Sequence, residues 1–201
     1  MTAHSLRARF KATVTEAILD AAEELAAEVG VPGTNLQAVA KRAGVAVGTI
    51  YNHFEDRSEL FAELFARRRQ ELLTTLDATT KRVAGSGFEA QLEAYVSTVF
   101  AYFDTRRAFL RLALDGQAHK PPPVRKAREA HNSMEQLTIR AERIVRAGLK
   151  EKRLRADTAD LAPYFLTAAV RAVLIARVDS PKPLVGETGR VIELFLKGTS
   201  R

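Results

Sequence analysis

The stretch AGVAVGTIYNHF, residues 43–54, decides the fold of this chain. Upstream of it, Asn35 can accept a hydrogen bond from a free backbone N–H group, and it predicts the start of a short amphipathic helix. Gly44 stands just past the end of that helix, where a residue that tolerates positive φ is favoured. A second short helix is predicted over about 46–52, with Ile50 facing inward. Two short helices joined by a turn that contains glycine form a helix-turn-helix.

The outward positions of the second helix are unusual for a helix with a purely structural role. Gly48 costs about 1 kcal/mol there relative to alanine, and close approach of the backbone to a DNA strand would explain it. The neighbouring side chains can reach phosphates or base edges: Val47, Thr49, Tyr51, Asn52 and His53. The alternative is a short surface helix without a partner.

This run resembles the signature of the TetR-type (TetR/AcrR-like) helix-turn-helix transcriptional regulators. The resemblance covers about residues 10–66. A long helix is predicted from Phe10 to Val29, and Gly30 with the nearby proline is expected to end it. After the motif, Asp56 opens a variant capping box that predicts the start of another helix.

The resemblance implies an all-α fold with nine helices in two domains. We expect an N-terminal three-helix helix-turn-helix DNA-binding domain at 10–56, with the motif at 35–54. A C-terminal helical domain for effector binding and dimerisation is expected at 57–201. Breaks and helices are predicted in the following order: a break at 85–87, a helix at about 105–114, a loop at 116–123, a helix at about 124–149, a loop at 181–183 and a helix at 185–197. Asp157 and Asp160 are expected to open a further helix from its N-cap and N3 positions.

The resemblance also assigns DNA-contacting residues. Tyr51 and His53 match the phosphate-contacting aromatic residue and histidine of the family, and Arg57 stands where lysine is usual. The full set of expected DNA contacts is Asn35, Gln37, Val47, Gly48, Thr49, Tyr51, Asn52, His53 and Arg57. Ala46 departs from the family pattern, because the usual Ser or Thr cap is worth about 1 kcal/mol of local stability. Val47 also departs, since a polar or charged residue is frequent there.

The charge of the chain is distributed in an unexpected way for a DNA-binding protein. The 201 residues carry a net charge of +7, with a sequence pI near 9.9. Residues 1–60 nevertheless hold six Lys and Arg against eight Asp and Glu, and residues 87–201 hold twenty against thirteen. The excess of basic residues therefore lies mostly in residues 87–201. These residues either form a solvated surface or favour the binding of an anionic ligand. The motif, rather than the pI, indicates DNA binding.

The composition excludes several other classes of site. Without cysteine the chain forms no disulfide or thiolate metal site, and the histidines at 4, 53, 119 and 131 are too scattered for metal-ligand spacing. We expect neither a metal nor another cofactor. The N-terminus lacks the apolar run of a signal peptide, and the apolar segment 161–178 is interrupted by Arg171 and Arg177. A cytoplasmic protein with no membrane partner is expected.

Two apolar patterns in the C-terminal part suggest a dimer and an effector site. The expected dimerisation residues are Leu161, Tyr164, Ala168, Ala172, Ile175, Ala176, Ile192 and Phe195. The alternative is that these two helices are simply buried within one chain. Residues expected to line a pocket are Phe65, Leu72, Tyr95, Val99, Phe103, Phe109, His131, Met134 and Phe165. The alternative is that these side chains form an ordinary core.

The resemblance therefore implies a homodimeric repressor that binds a palindromic DNA operator and is released from it by a small-molecule effector. In a dimer, two recognition helices would read half-sites about 34–36 Å apart. Two other classes stay open. One is a helical protein-interaction module that keeps the helix-turn-helix as a scaffold, and the other is an all-helical enzyme, although no catalytic constellation stands out.

Overall fold

The computed structural model describes the backbone of residues 3–118 and 124–200, and the side chains of residue 6 and of residues 8–114 and 134–200. Nine α-helices lie within these ranges: α1 (Ala3–Gly33), α2 (Leu36–Ala43), α3 (Val47–Tyr51), α4 (Arg57–Arg82), α5 (Phe88–Thr105), α6 (Arg107–Ala118), α7 (Val124–Lys150), α8 (Ala162–Ala176) and α9 (Thr188–Thr199). Short 3₁₀ helices form at Ala156–Thr158 and Leu184–Glu187. The all-α prediction is confirmed.

Helix α1 is longer than the sequence pattern predicts. It begins at Ala3 rather than at Phe10, because the residues before Phe10 include no glycine or proline that would stop it. Gly30 breaks the regular helix as expected, with φ 76° and ψ 159°. One further turn then brings the chain to Gly33. The first segment of α1 projects from the core, since Leu6 and Phe10 are both exposed.

The first of two core clusters lies under the helix-turn-helix. It is formed by Ile18, Leu19, Ala21, Ala22, Ala26, Leu36, Val39, Ala40, Ile50, Phe54, Leu60, Phe61, Leu64 and Leu112. The first turns of α4 therefore belong to the same core as α1–α3. Leu112 is notable because it comes from α6, which packs extensively against α1.

The second core cluster joins α4 and α5 to α6–α9. Tyr95, Val99 and Phe100 of α5 are fully buried at its centre, together with Leu166 and Phe195 from the last two helices. α4 runs through both clusters, and Phe65 packs against each of them. A single continuous helix therefore links the helix-turn-helix to the C-terminal core.

Three details of the C-terminal part differ from expectation. Asp157 lies in a 3₁₀ helix and Asp160 in the turn after it. α8 starts only at Ala162, next to a proline in its first turn and without a side-chain cap. α9 starts at Thr188 rather than at 185. The intervening 3₁₀ turn is held by the distant Asp104, whose carboxylate accepts from the N–H groups of residues 184 and 185 at 2.8 and 3.0 Å.

The loop expected at 116–123 also begins later than predicted, since α6 continues to Ala118. A glycine at position 116 does not stop a helix by itself. Residues 119–123, with their three prolines, lie outside the described residues. Within the described ranges, no helix combines the length and apolar character needed to cross a membrane.

Candidate nucleic-acid interface

The helix-turn-helix is closed by the caps that its sequence predicts. The Asn35 side chain accepts from the Ala38 N–H group at 2.8 Å, which fixes the start of α2. Gly44 adopts φ 68° and ψ 29° at the end of α2, and the N–H group of Val45 returns to the Ala40 carbonyl at 3.0 Å. These contacts set the tight turn that places α3 across α2.

One apolar side chain anchors the inner face of helix α3 to the core. Ile50 is fully buried in the first core cluster, and Phe54 is buried just after the helix. The N–H group of Phe54 donates to the Ile50 carbonyl at 2.8 Å, which continues the turn past Tyr51. Ala46 has no side-chain hydrogen bond to offer as an N-cap. The helix therefore depends on its buried face for its position.

The opposite side of α3 is exposed. We define the α3 outer face as Val47, Gly48, Tyr51 and Asn52, all of which are exposed. Thr49 is half-buried beside it, and on α2 both Asn35 and Gln37 are exposed. A Cβ atom added to Gly48 would meet no heavy atom within 4 Å. Folding of the chain therefore gives no steric reason for glycine at this position.

His53 lies at the rim of this face. Its Nδ1 atom is 2.9 Å from the Thr15 hydroxyl of α1, and the ring is half-buried. Partial burial and the nearby Lys11 ammonium lower the pKa of His53 below its usual 6.5. The imidazole is therefore neutral at pH 7 in the free protein.

Arg57 makes two contacts within the chain that its sequence neighbours do not predict. Its Nη1 group donates to the Pro32 carbonyl at 2.7 Å and to the Thr34 carbonyl at 3.3 Å. Pro32 lies in the last turn of α1 and Thr34 just after it, so the guanidinium stabilises the join between α1 and α2. The residue expected to contact phosphate thus holds the motif to the preceding helix.

The carboxylates of residues 1–60 are largely occupied within the fold. Glu28 forms a two-point pair with Arg42 at 2.6 and 2.8 Å. Asp56 caps α4 by accepting from the Glu59 N–H group at 2.8 Å, and the Glu59 carboxylate accepts in turn from the Glu55 N–H group. The arrangement is a variant of the capping box, because the Glu59 carboxylate reaches the N–H group one residue before the N-cap Asp56. It also engages both carboxylates in hydrogen bonds with backbone N–H groups.

Three further acidic residues of α1 surround a buried arginine. The Arg68 side chain of α4 is fully buried and pairs with Glu16, with Asp20 and, at 2.8 Å, with Glu23. We call the set Glu16, Asp20, Glu23, Arg68, Glu71 and Arg106 the Arg68 network. Burial by itself would lower the pKa of Arg68, but the hydrogen bonds and charges of the glutamates at 16 and 23 outweigh it and raise that pKa above its usual value.

The Arg68 network joins the two halves of the molecule. Arg106, which lies between α5 and α6, reaches Asp20 of α1 and Glu71 of α4, each at 3.4 Å. The Tyr102 hydroxyl of α5 donates to the Arg68 carbonyl at 2.7 Å. α1, α4 and α5 are therefore tied together by charge at the level where the two core clusters meet.

Most of the residues expected to line an effector pocket lie in the second core cluster. Leu72, Tyr95, Val99, Phe103 and Phe109 are buried, whereas Phe65 and Met134 are half-buried. Tyr95 donates its hydroxyl to the Leu137 carbonyl at 3.3 Å, and burial raises its pKa to about 12. Phe165 lies elsewhere, exposed on α8 with its ring stacked against that of Phe195. The His131 side chain lies outside the described residues.

The expected dimerisation residues are mostly exposed. We define the α8 apolar face as Leu161, Tyr164, Phe165, Ala168, Ala172, Ile175 and Ala176, and all seven are exposed. Leu194 of α9 is exposed as well, and Ile192 is half-buried. Phe195 differs from the expectation because it is fully buried in the second core cluster. Its position on the inner side of α9 explains this difference.

These features define a class of protein: an all-helical chain with an N-terminal helix-turn-helix and a larger C-terminal helical core. Residues 18–64 match the family model of the bacterial regulatory proteins, tetR family. This match covers the helix-turn-helix part of the chain.

Two named relatives share sequence with part of the chain. The chain is 50% identical over 48 residues to the HTH-type transcriptional regulator AcrR of Shigella flexneri, covering 24% of this chain and 22% of the relative. It is 34% identical over 67 residues to the fatty acid metabolism regulator protein of Bacillus subtilis (strain 168), covering 33% of this chain and 34% of the relative. The matched segment therefore spans about a third or less of these two relatives.

The fold extends well beyond the matched segment. The crystal structure of the transcriptional regulator FadR from Bacillus subtilis, in complex with stearoyl-CoA, superposes with a TM-score of 0.77. The superposition covers 91% of this chain and 98% of that chain at 21% sequence identity. At this level of identity the similarity establishes the shared fold.

Proposed function

We propose that this protein is a DNA-binding transcriptional regulator that reads its operator with α3. The observation that carries the proposal is Gly48. A glycine inside a short helix weakens that helix by about 1 kcal/mol. Gly48 is the second residue of α3, and a Cβ atom added there would meet no heavy atom within 4 Å. A partner that approaches the backbone closely accounts for the residue, and the matched relatives include proteins named as HTH-type transcriptional regulators.

The side chains on and beside the α3 outer face can supply the other contacts to DNA. Tyr51 and protonated His53 provide donors for phosphates, whereas Asn52, Thr49 and Val47 provide contacts to base edges. Asn35 and Gln37 lie on α2 next to this surface. Tyr51 and His53 border solvent or an open groove rather than an enclosed cleft, which favours a DNA-binding role over an enzymatic one.

We further propose that the regulator is a homodimer joined through the α8 apolar face. An exposed row of seven apolar side chains on one helix is costly in water, and a second copy would cover it. The alanines at 168, 172 and 176 permit close approach of two helices. Twofold symmetry of the dimer would place two copies of α3 on a palindromic operator.

A small-molecule effector is proposed to bind in the second core cluster and release the DNA. The fatty acid regulator FadR was solved with stearoyl-CoA, a ligand with a long apolar chain. The aromatic and aliphatic interior around Tyr95, Val99 and Phe103 suits a ligand of that apolar character. Repression that is relieved by the effector is the mode we propose, in a cytoplasmic protein without a metal or other cofactor.

Two sets of contacts are proposed to couple the effector site to α3. The Arg68 network joins α1 to α4 and α5, and Leu112 carries α6 into the first core cluster. A ligand that displaces α5 or α6 would therefore change the position of α1 and the motif together. The size of this effect is limited by the difference in ligand affinity between the two states.

Fluorescence anisotropy with labelled DNA from upstream of the protein's own gene tests the proposal. A scrambled duplex and a salt series are needed as controls, because affinity for DNA depends strongly on salt. Tight binding that survives scrambled competitor supports a specific regulator. A protein-interaction module that keeps the motif as scaffold would bind both duplexes equally and weakly, and the Tyr51→Ala variant would then behave like the wild type.

A further inference from the structure

Some of the basic side chains of residues 1–60 have a partner within the chain. This part of the chain has six Lys and Arg residues: Arg7, Arg9, Lys11, Lys41, Arg42 and Arg57. Arg42 is paired with Glu28, and Arg57 donates to the Pro32 carbonyl in the last turn of α1. Three of the six lie within five residues at the start of α1. Since α3 itself has no charged residue, this segment is the main local source of positive charge for a polyanion.

Lys11 lies close to His53, which follows α3. It is exposed and lines an open groove of about 450 Å³ together with Thr15, His53 and Phe54. Its charge is close enough to His53 to lower the pKa of that imidazole. Lys11 and Thr15 are one helical turn apart, so the side of α1 that contacts His53 continues toward the N-terminus through Lys11.

The acidic residues that border the same groove are already engaged. The Glu59 carboxylate accepts from the Glu55 N–H group as part of the capping box. Glu63 pairs with Arg67 at 3.4 Å. In the part of the chain whose side chains the structure describes, no carboxylate lies within ion-pairing distance of Lys11. The Lys11 ammonium is therefore available to a phosphate that approaches along α3.

We propose that the projecting first segment of α1 is a second DNA-contacting element, in which Lys11 binds a backbone phosphate beside the half-site read by α3. This inference rests on the proposed function. The contact is electrostatic and independent of base sequence, so it adds affinity rather than specificity. It also reconciles DNA binding with the net negative composition of residues 1–60, because most of their carboxylates are engaged within the fold whereas Lys11 has no ion pair among the side chains described.

The test compares two variants that lose the same charge from the same helix. Lys11→Gln removes the proposed contact. Arg9→Gln is the matched control, because position 9 is exposed and lies about 200° around α1 from position 11. Binding of each full-length variant is measured by fluorescence anisotropy over a salt series. The probes are a duplex that the wild type enriches from a random-sequence pool and a scrambled duplex of the same composition.

Lys11→Gln should weaken binding to both duplexes by a similar factor. The slope of log K against log salt should become shallower by about 0.9 for each subunit that contacts the DNA, whereas Arg9→Gln should keep the wild-type slope. If Tyr51→Ala weakens specific binding but Lys11→Gln leaves the slope unchanged, the inference is overturned and the proposed function stands. Equal loss of slope in both variants overturns the assignment to one face of α1. A wild type that enriches no duplex overturns the proposed function and this inference with it.

Discussion

The Thr15 hydroxyl and the His53 imidazole form a hydrogen bond of 2.9 Å between α1 and the end of α3. Thr15 also lies 2.9 Å from the Lys11 carbonyl and donates its hydroxyl proton there. Because that proton is used, the Thr15 oxygen accepts from Nδ1–H of His53, which fixes the neutral tautomer. Nε2 is then an acceptor and cannot donate to a phosphate. A phosphate contact by His53 through Nε2 therefore requires the imidazolium form.

DNA binding is accordingly expected to take up a proton at His53. Partial burial and Lys11 hold the pKa of the free protein's His53 below 6.5, and a phosphate would raise it again. Affinity should increase as the pH falls from about 8 to about 5.5, with a slope of up to one proton per subunit. Anisotropy titrations at constant salt measure this slope. A His53→Gln variant is the control, and an identical pH dependence in both proteins would exclude the proposed role of His53.

Lowering the pH is expected to strengthen DNA binding through His53 but to destabilise the free protein. The unfolded chain binds a proton at His53 more readily than the folded chain does. The contribution of His53 to folding should therefore be unchanged above the unfolded pKa and become unfavourable as the pH falls below about 6.5. Chemical denaturation of wild type and His53→Gln across this range separates the stability effect from the binding effect.

Local features of the fold were predictable from the sequence because their causes are local. Asn35, Gly44 and Asp56 cap helices through atoms within a few residues of each side chain, and all three do so as expected. The spacing of apolar residues likewise placed Ile50 on the inner face of α3. Such signals depend on capping chemistry and helical periodicity alone.

Contacts between residues that lie far apart in the sequence could not be predicted from capping chemistry or periodicity. The Arg57 guanidinium contacts carbonyls 23 and 25 residues earlier, and Asp104 caps a 3₁₀ turn 80 residues later. Arg68 reads as an ordinary exposed arginine on a helix, yet its ion partners on α1 lie 45 to 52 residues away. Only the tertiary arrangement shows which charges are engaged and which, like Lys11, are free of an ion pair among the side chains described.

Gly48→Ala should separate folding from DNA binding. The added methyl group meets no atom of the chain, and alanine favours a helix over glycine by about 1 kcal/mol. We expect a stability equal to or up to about 1 kcal/mol above that of the wild type, together with weaker binding to the enriched duplex. Thermal denaturation and anisotropy measure the two effects. Unchanged DNA affinity would show that no partner approaches the backbone at position 48.

Gly148→Ala should give the opposite result for stability. A Cβ atom at this position on α7 would lie 2.8 Å from Leu154 and 2.8 Å from Phe88, both of which are buried. Overpacking of this kind costs about 1–3 kcal/mol. The midpoint of urea denaturation should fall accordingly. DNA affinity of the remaining folded protein should be unchanged, because the site lies far from α3, and a midpoint equal to that of the wild type would contradict the packing described.

Arg68→Met should be strongly destabilising. The substitution leaves the carboxylates of Glu16, Asp20 and Glu23 facing a buried apolar side chain, and breaking a buried ion network of this kind costs about 3–5 kcal/mol. Arg146→Met is a suitable control, because Arg146 forms an exposed pair with Glu142 whose loss should cost less than about 1 kcal/mol. Chemical denaturation of both variants measures the difference. Similar losses in the two variants would mean that Arg68 is not the link between α1 and α4.

Ala168→Glu should disrupt the proposed dimer without unfolding the subunit. Position 168 lies in the middle of the α8 apolar face and is exposed, so a glutamate is tolerated in a monomer but would be buried without a partner charge between two copies. Light scattering after size-exclusion chromatography should therefore report a monomer, and specific DNA binding should weaken because two half-sites are no longer read together. Ala101→Glu, at an exposed alanine of α5, provides the matched control and should leave the dimer intact. If Ala168→Glu keeps the mass of a dimer, the subunits associate through a different surface and the α8 apolar face requires another partner.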